Sequence, residues 1–286
     1  MTAAEVVLDG LAFGEGPRWH ESALWFSDMH AHLVHAFDPT TGTLDSIVEV
    51  DGAPSGLGWD PGGALLIVSM DDRRLLRLPV GGNALEEIAD LSSYTDHPIN
   101  DMVVSASGTA YIGSFGFDLH AGDKPVNTVV LAVGIDGSHR VAADDMAFPN
   151  GMVITEDRST LVVGESFGGR LTAFTIGADD SLSDRRVWAD LGGGGRFPDG
   201  ICLDAENSIW IASPGTNECL RVREGGEIVD SVSTGDRLAI ACMLGDDDRR
   251  TLYVLTSKGL DPEKARALRT GRLERVRVDV PGAGLP

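Results

Sequence analysis

Short apolar runs of aliphatic, β-branched and aromatic residues recur along the chain, each opened by a polar turn. Six of them are residues 23–27 (ALWFS), 64–69 (ALLIVS), 109–113 (TAYIG), 160–163 (TLVV), 208–212 (SIWIA) and 251–255 (TLYVL). Composition and length predict buried strands, and turns such as Pro61-Gly62-Gly63, Ser107-Gly108 and Glu206-Asn207 punctuate them. The residues that open the strand before each run align as Glu15, Ser55, Asn100, Asn150, Asp199 and Ala241, in steps of 40, 45, 50, 49 and 42 residues. Short strands repeating at this interval are the signature of propeller blades. The expectation is an all-β, six-bladed β-propeller forming one domain over residues 1–286. Only residues 262–269 (PEKARALR) read as a helix. Residues 271–280 alternate apolar and polar, as a half-exposed outer strand would, and residues 5–8 are another strand candidate. The two ends are expected to meet in one blade and close the ring, which removes an exposed sheet edge.

The repeat also predicts where chemistry gathers. In a propeller the innermost strand of each blade lines the central channel, so the aligned positions ring its mouth. Glu15, Asn100, Asn150 and Asp199 then bring carboxylate and amide oxygens together from distant parts of the chain. Hard divalent cations take such oxygens, and two carboxylates balance a double positive charge. Asn-Gly, Asn-Asp and Asp-Gly are also common turn pairs, but four in register favour a site. The second strand of each blade returns to the same face and ends at Asp28, Ser69, Ser114, Glu165 and Ser213. These are candidates for the second shell around the metal, Asp28 and Glu165 foremost: each is either a buried acid with a raised pKa or an acceptor for a backbone donor.

A formal net charge of −21 argues against nucleic acid, whose phosphates need a Lys/Arg surface, and against anionic membranes. Three cysteines, Cys202, Cys219 and Cys242, make neither a disulfide framework nor a zinc finger; Cys202 and Cys242 lie beside channel positions and read as small core residues. The first residues lack the basic start and apolar stretch of a signal peptide, and no apolar run approaches the ~18 residues of a membrane span. The expectation is a cytoplasmic protein acting on a small molecule; oligomeric state is not readable.

The segments Gly14-Glu15-Gly16-Pro17-Arg18-Trp19, Asn100-Asp101, Phe148-Pro149-Asn150-Gly151-Met152 and Phe197-Pro198-Asp199-Gly200-Ile201 resemble the gluconolactonase, or senescence marker protein, family of calcium-dependent lactonases, in order and over nearly the whole chain. The resemblance implies that Glu15, Asn150 and Asp199 are direct metal ligands, that Asp199 also serves as general base, and that Asn100 contacts metal or substrate. Asn100, Asp101 and His97 are the candidate substrate-binding residues. The sugar-lactone members carry an Arg two residues before the equivalent of Asn100; here Pro98 stands there, which argues against a sugar lactone.

The chemistry expected is hydrolysis of a small lactone, a divalent ion polarising the carbonyl while water attacks. Calcium is the first expectation; zinc, manganese and magnesium also suit an oxygen-rich site. Rival readings are phosphotriester-type hydrolysis or ring-forming chemistry on the same scaffold, and a non-catalytic calcium- or ligand-binding propeller. No Gly-x-Ser-x-Gly elbow is present. Gly192–Gly195 lacks the Lys-Ser/Thr of a phosphate loop. His30, His32 and His35 read as a solvent-facing loop and strand, with His30 and His32 on one face. Specificity is expected in the loops 115–127 and 192–196.

Overall fold

The computed structural model describes residues 4–284. Six four-stranded antiparallel sheets are arranged as the repeat predicts. The first blade runs through strands Gly14–His20, Ala23–Asp28, Leu33–Asp38 and Thr43–Glu49, and the next four follow with the same up-and-down order. The innermost strands Gly14–His20, Pro54–Trp59, Ile99–Val104, Pro149–Ile154, Ile201–Leu203 and Leu238–Gly245 pack side by side, and the last returns to the first. Each of the six apolar runs is the second strand of its blade.

Both chain ends build the sixth blade, in the order Leu238–Gly245, Thr251–Ser257, Gly271–Arg277, Glu5–Leu11. The carboxy-terminal strand is therefore third, and its expected place at the outer edge is corrected. Glu5–Leu11 pairs along it, from Glu5 against Arg275 to Leu11 against Gly271, which explains why Leu273, Glu274 and Val276 are buried. The short helix forms at Pro262–Leu268, started by Asp261 accepting from the Lys264 amide at 3.0 Å.

Apolar clusters fill the spaces between successive blades. Leu66, Val68, Ile99 and Met102 join the second and third, and Val153, Val162, Ile201 and Ile211 the fourth and fifth. A further cluster belongs to no single blade pair: Phe13, Met29, Met70, Phe115, Phe117, Phe148 and Ile240 gather over the channel mouth.

Five of the six aligned positions lie within strands, and Asp199 lies just before Ile201–Leu203. Five innermost strands carry a register irregularity there: between Glu15 and Arg18, Pro54 and Leu57, Ile99 and Met102, Pro149 and Met152, and Ala239 and Ala241. Such irregularities re-aim side chains, and the aligned residues at three of them, Glu15, Asn100 and Asn150, line the cavity at the channel mouth. Where the residue after an aligned position is glycine (Gly16, Gly56, Gly151 and Gly200), that residue abuts the next blade. A Cβ on Gly151 would stand 2.4 Å from the Asp199 carbonyl oxygen and 2.6 Å from the Ile201 amide nitrogen. Glycine is what lets the fourth and fifth blades meet so closely.

Candidate functional site

Glu15, Asn100, Asn150 and Asp199 come together on the floor of a cavity of about 380 Å³ at the channel mouth. Asn150 Nδ2 donates to Asp199 Oδ1 at 2.6 Å and to Ser166 Oγ at 3.2 Å. Ser166 Oγ donates in turn to the Pro198 carbonyl at 2.7 Å, so the amide orientation is fixed from behind. Glu15 accepts from the Gly16 amide at 3.0 Å. Two buried polar atoms on this floor have no partner, Asn150 Oδ1 and Asn100 Nδ2. An unpaired buried acceptor costs ~1–3 kcal/mol, and ligand sites are where such atoms recur.

Asp101 and His97 are placed apart from this floor. Asp101 is buried below the cavity, with Oδ1 3.0 Å from Arg18 Nη2 and accepting from the Met102 amide at 2.8 Å. Arg18 also donates to the carbonyls of Pro17 and Met102 and is as buried as its partner. His97 is half-buried outside the cavity lining, its amide bonded to Thr95 Oγ1 at 3.0 Å.

Electrostatics on the floor are unbalanced. Burial raises Glu15 well above the usual carboxylate range, and Asp199 and Asp101 raise it further; the Gly16 amide and Arg18 only partly oppose them. Asp199 is also raised, by burial first and then by Asp101, against the Asn150 hydrogen bond. Burial raises Asp101 too, with Arg18 pulling it back. Three carboxylates facing one guanidinium are what a bound cation would relieve. The donor set matches a hard divalent ion: two carboxylates, the orphaned Asn150 Oδ1 and the neighbouring Asn100 amide. Among the described residues no group of three His, Cys, Asp or Glu side chains has metal-holding geometry, so any cation here depends on the amides.

Asp28 and Glu165 serve the backbone. Asp28 accepts from the amides of Phe13 at 2.7 Å and Ala12 at 3.1 Å, fixing the chain just before Glu15. Glu165 accepts from the Ala147 amide at 2.8 Å, just before Asn150, and takes Arg170 at 2.8 and 3.0 Å and the Thr172 hydroxyl. Burial pushes Glu165 up, but these donors outweigh it and hold it below its ordinary value. Both carboxylates are thus acceptors for backbone donors.

His30 departs from the solvent-facing expectation. It sits on the short 3-10 turn Met29–Ala31, is buried, lines the cavity and packs on Phe13 with ring centroids 5.2 Å apart. Burial lowers it to about 4, with Arg266, His120 and His32 adding to the effect, so the imidazole is neutral at pH 7. Cys202 and Cys242 are free and buried, and burial pushes both thiols well up.

The cavity walls carry their own repeat, one not read from the sequence. In the first five blades the residue just after the second-strand end (Met29, Met70, Phe115, Ser166 and Pro214) lines the cavity, as do Phe13, Phe148 and Phe197, two before an aligned position. The aligned positions shifted by one or two would have found them. Of the two loops expected to hold specificity, 115–127 contributes Phe115, Leu119 and His120, while 192–196 contributes no lining side chain.

The SMP-30/gluconolactonase/LRE-like region pattern matches residues 13–258. The chain belongs to that family. Family members with lactonase names align over nearly the whole chain. Pentonolactonase XacC of Haloferax volcanii is 27% identical over 91% of this chain and 86% of its own length. The 6-deoxy-6-sulfogluconolactonase of Pseudomonas putida is 25% identical over 98% of this chain and 96% of its own. The solved structure of regucalcin from Agrobacterium tumefaciens, described as a calcium-binding protein, superposes with a TM-score of 0.83 at 22% identity, covering 99% of this chain and 96% of that one. At that identity it shows the shared six-bladed fold alone.

Proposed function

We propose that this protein hydrolyses a small lactone at the channel mouth, with a divalent cation, calcium first, held by Glu15, Asn150 and Asp199. The observation that carries the reading is the meeting of these three with an orphaned Asn150 Oδ1 at the base of a substrate-sized cavity; such pockets run ~300–1,000 Å³. The lactonase names of the aligned relatives support the same class of reaction.

A divalent cation bound there supplies positive charge against the carbonyl oxygen as it becomes negative. The chain's own groups do the rest. Asn100 Nδ2, unpartnered in the free protein, donates to a ring or carbonyl oxygen and orients the substrate. Asp199 Oδ1 accepts from Asn150 and keeps a second lone pair that would face the cation, so Oδ2 is the oxygen free to take the proton of the attacking water. That proton passes to the ring oxygen as the acyl–oxygen bond breaks, giving the hydroxy acid. Arg18 and Asp101 sit behind Glu15, and the Arg18 charge favours the ionised carboxylate.

The test is acid release from a lactone panel by protein stripped of metal, then resupplied with calcium, zinc, manganese or magnesium, alongside Asp199→Ala. Turnover restored by a metal and lost by at least ~100-fold in the variant is expected. Turnover indifferent to chelation, or intact in Asp199→Ala, would refute the assignment.

A further inference from the structure

The walls above the floor are almost entirely apolar. Phe115, Phe148, Phe167 and Phe197 follow one another along one side: Phe115 and Phe148 have centroids 4.5 Å apart, Phe148 and Phe167 5.3 Å, Phe167 and Phe197 6.2 Å. Met29 and Met70 lie among the other lining residues. Among the described residues no Lys or Arg lines the cavity. The polar wall groups are His30, His120 and Ser166; Ser166 Oγ is already engaged by Asn150 and the Pro198 carbonyl. A sugar ring carries hydroxyls around its whole edge, and most would be stranded against carbon here. Each unpaired hydroxyl costs on the order of tenfold in binding or turnover.

Resting on the lactonase reading above, we propose that the substrate is an apolar lactone: a cyclic ester whose ring bears an alkyl chain or a fused aromatic ring in place of hydroxyls. The ester group meets Glu15, Asn100, Asn150 and Asp199 at the floor, and the apolar substituent runs up the phenylalanine wall. Phe167 and Phe197 are each 43% exposed. At the rim they cover a chain that projects toward solvent, and their own exposed area is what a bound alkyl group would bury. Aromatic faces accept alkyl and aryl groups alike.

The experiment compares kcat/KM, with metal supplied, for butyrolactones bearing hydrogen, methyl, propyl or hexyl beside the ring oxygen, a benzo-fused lactone, and polyhydroxylated lactones of five- and six-membered ring. Each buried methylene should raise kcat/KM about fourfold, from ~0.8 kcal/mol per CH₂ at ~1.36 kcal/mol per decade, until the chain leaves the rim. Polyhydroxylated lactones should fall below the unsubstituted ring. Phe167→Asn and Phe197→Asn should each cut the hexyl-to-hydrogen ratio about threefold to tenfold; half-exposed positions make loss of folding an easily checked outcome by thermal melt. A flat alkyl series with a polyhydroxylated lactone preferred would overturn the apolar substrate while leaving the lactonase reading standing. If no lactone turns over, the lactonase reading fails, and calorimetric binding of the ring-opened acids decides the rest. A long-chain hydroxy acid binding at least tenfold tighter than gluconate, with a negative heat-capacity change, would uphold the apolar ligand; equal or reversed affinity would overturn it.

Discussion

Gly151→Ala tests the link between the ring's geometry and the site. The added Cβ would lie 2.4 Å from the Asp199 carbonyl oxygen, 2.6 Å from the Ile201 amide nitrogen and 2.9 Å from the Gly200 Cα. All three are backbone, so no flexible side chain can give way. The fifth blade must move out, and the Gly151 amide to Asp199 carbonyl bond of 3.1 Å goes with it. Overpacking of this kind costs ~1–3 kcal/mol, and the lost bond adds ~0.5–1.5 kcal/mol. Together that is about 1.5–4.5 kcal/mol, or a fall in Tm of roughly 3–18 °C at ~2–4 °C per kcal/mol. The same shift separates Asp199 from Asn150, whose side chains touch at 2.6 Å. A displacement near 1 Å at a reacting centre costs about 100-fold in rate. Gly259 is the control: nothing lies within 4 Å of its would-be Cβ, so Gly259→Ala should stay within about ±1 kcal/mol of wild type. Calorimetric melting and lactone turnover read the two variants side by side. A Gly151→Ala protein melting within a degree of wild type with full turnover would refute the close approach of the blades and the dependence of the site on it.

Three further outcomes follow from other residues. Adding calcium at ~100 times its Kd should stabilise the protein by ~2.7 kcal/mol, raising Tm in melts with and without chelator; Glu15→Gln should abolish the rise while the metal-free protein still folds. Glu165→Gln should cost about 1–3 kcal/mol, because Arg170 loses a two-point carboxylate partner yet can turn to solvent. Since Glu165 is held below its ordinary value, its contribution is complete above the unfolded pKa and fades as pH falls through the folded one, so the variant's acid unfolding curve should be shallower over that window. His30 is lowered to about 4 from 6.5, so the unfolded chain binds a proton that the folded one refuses between those values. Stability should therefore fall as pH drops from 6.5 toward 4, and His30→Gln should remove that part of the slope; an NMR titration placing His30 at 6 or above would contradict its burial.

The architecture was legible in the sequence because its signals are local and repeated. Six apolar runs at a near-constant interval each became the second strand of a blade, and the oxygen-bearing positions in register met on one floor. A repeat carries equivalent residues to equivalent places, so spacing alone determined that Glu15, Asn100, Asn150 and Asp199 would face a common axis. What only the tertiary structure decided lies in contacts the period does not encode. Amphipathic alternation marks a strand as half-buried without saying whether another strand covers its edge, so residues 271–280 read as an outermost strand, whereas Glu5–Leu11 holds that place. A carboxylate at a strand end looks the same whether it faces a cavity or a backbone amide; folding aimed Asp28 and Glu165 at amides and Asp101 at Arg18, 83 residues away. The phenylalanine wall gathers aromatic residues flanking strands of the third, fourth and fifth blades, and only the packing of those blades side by side turned them into one apolar surface above a charged floor.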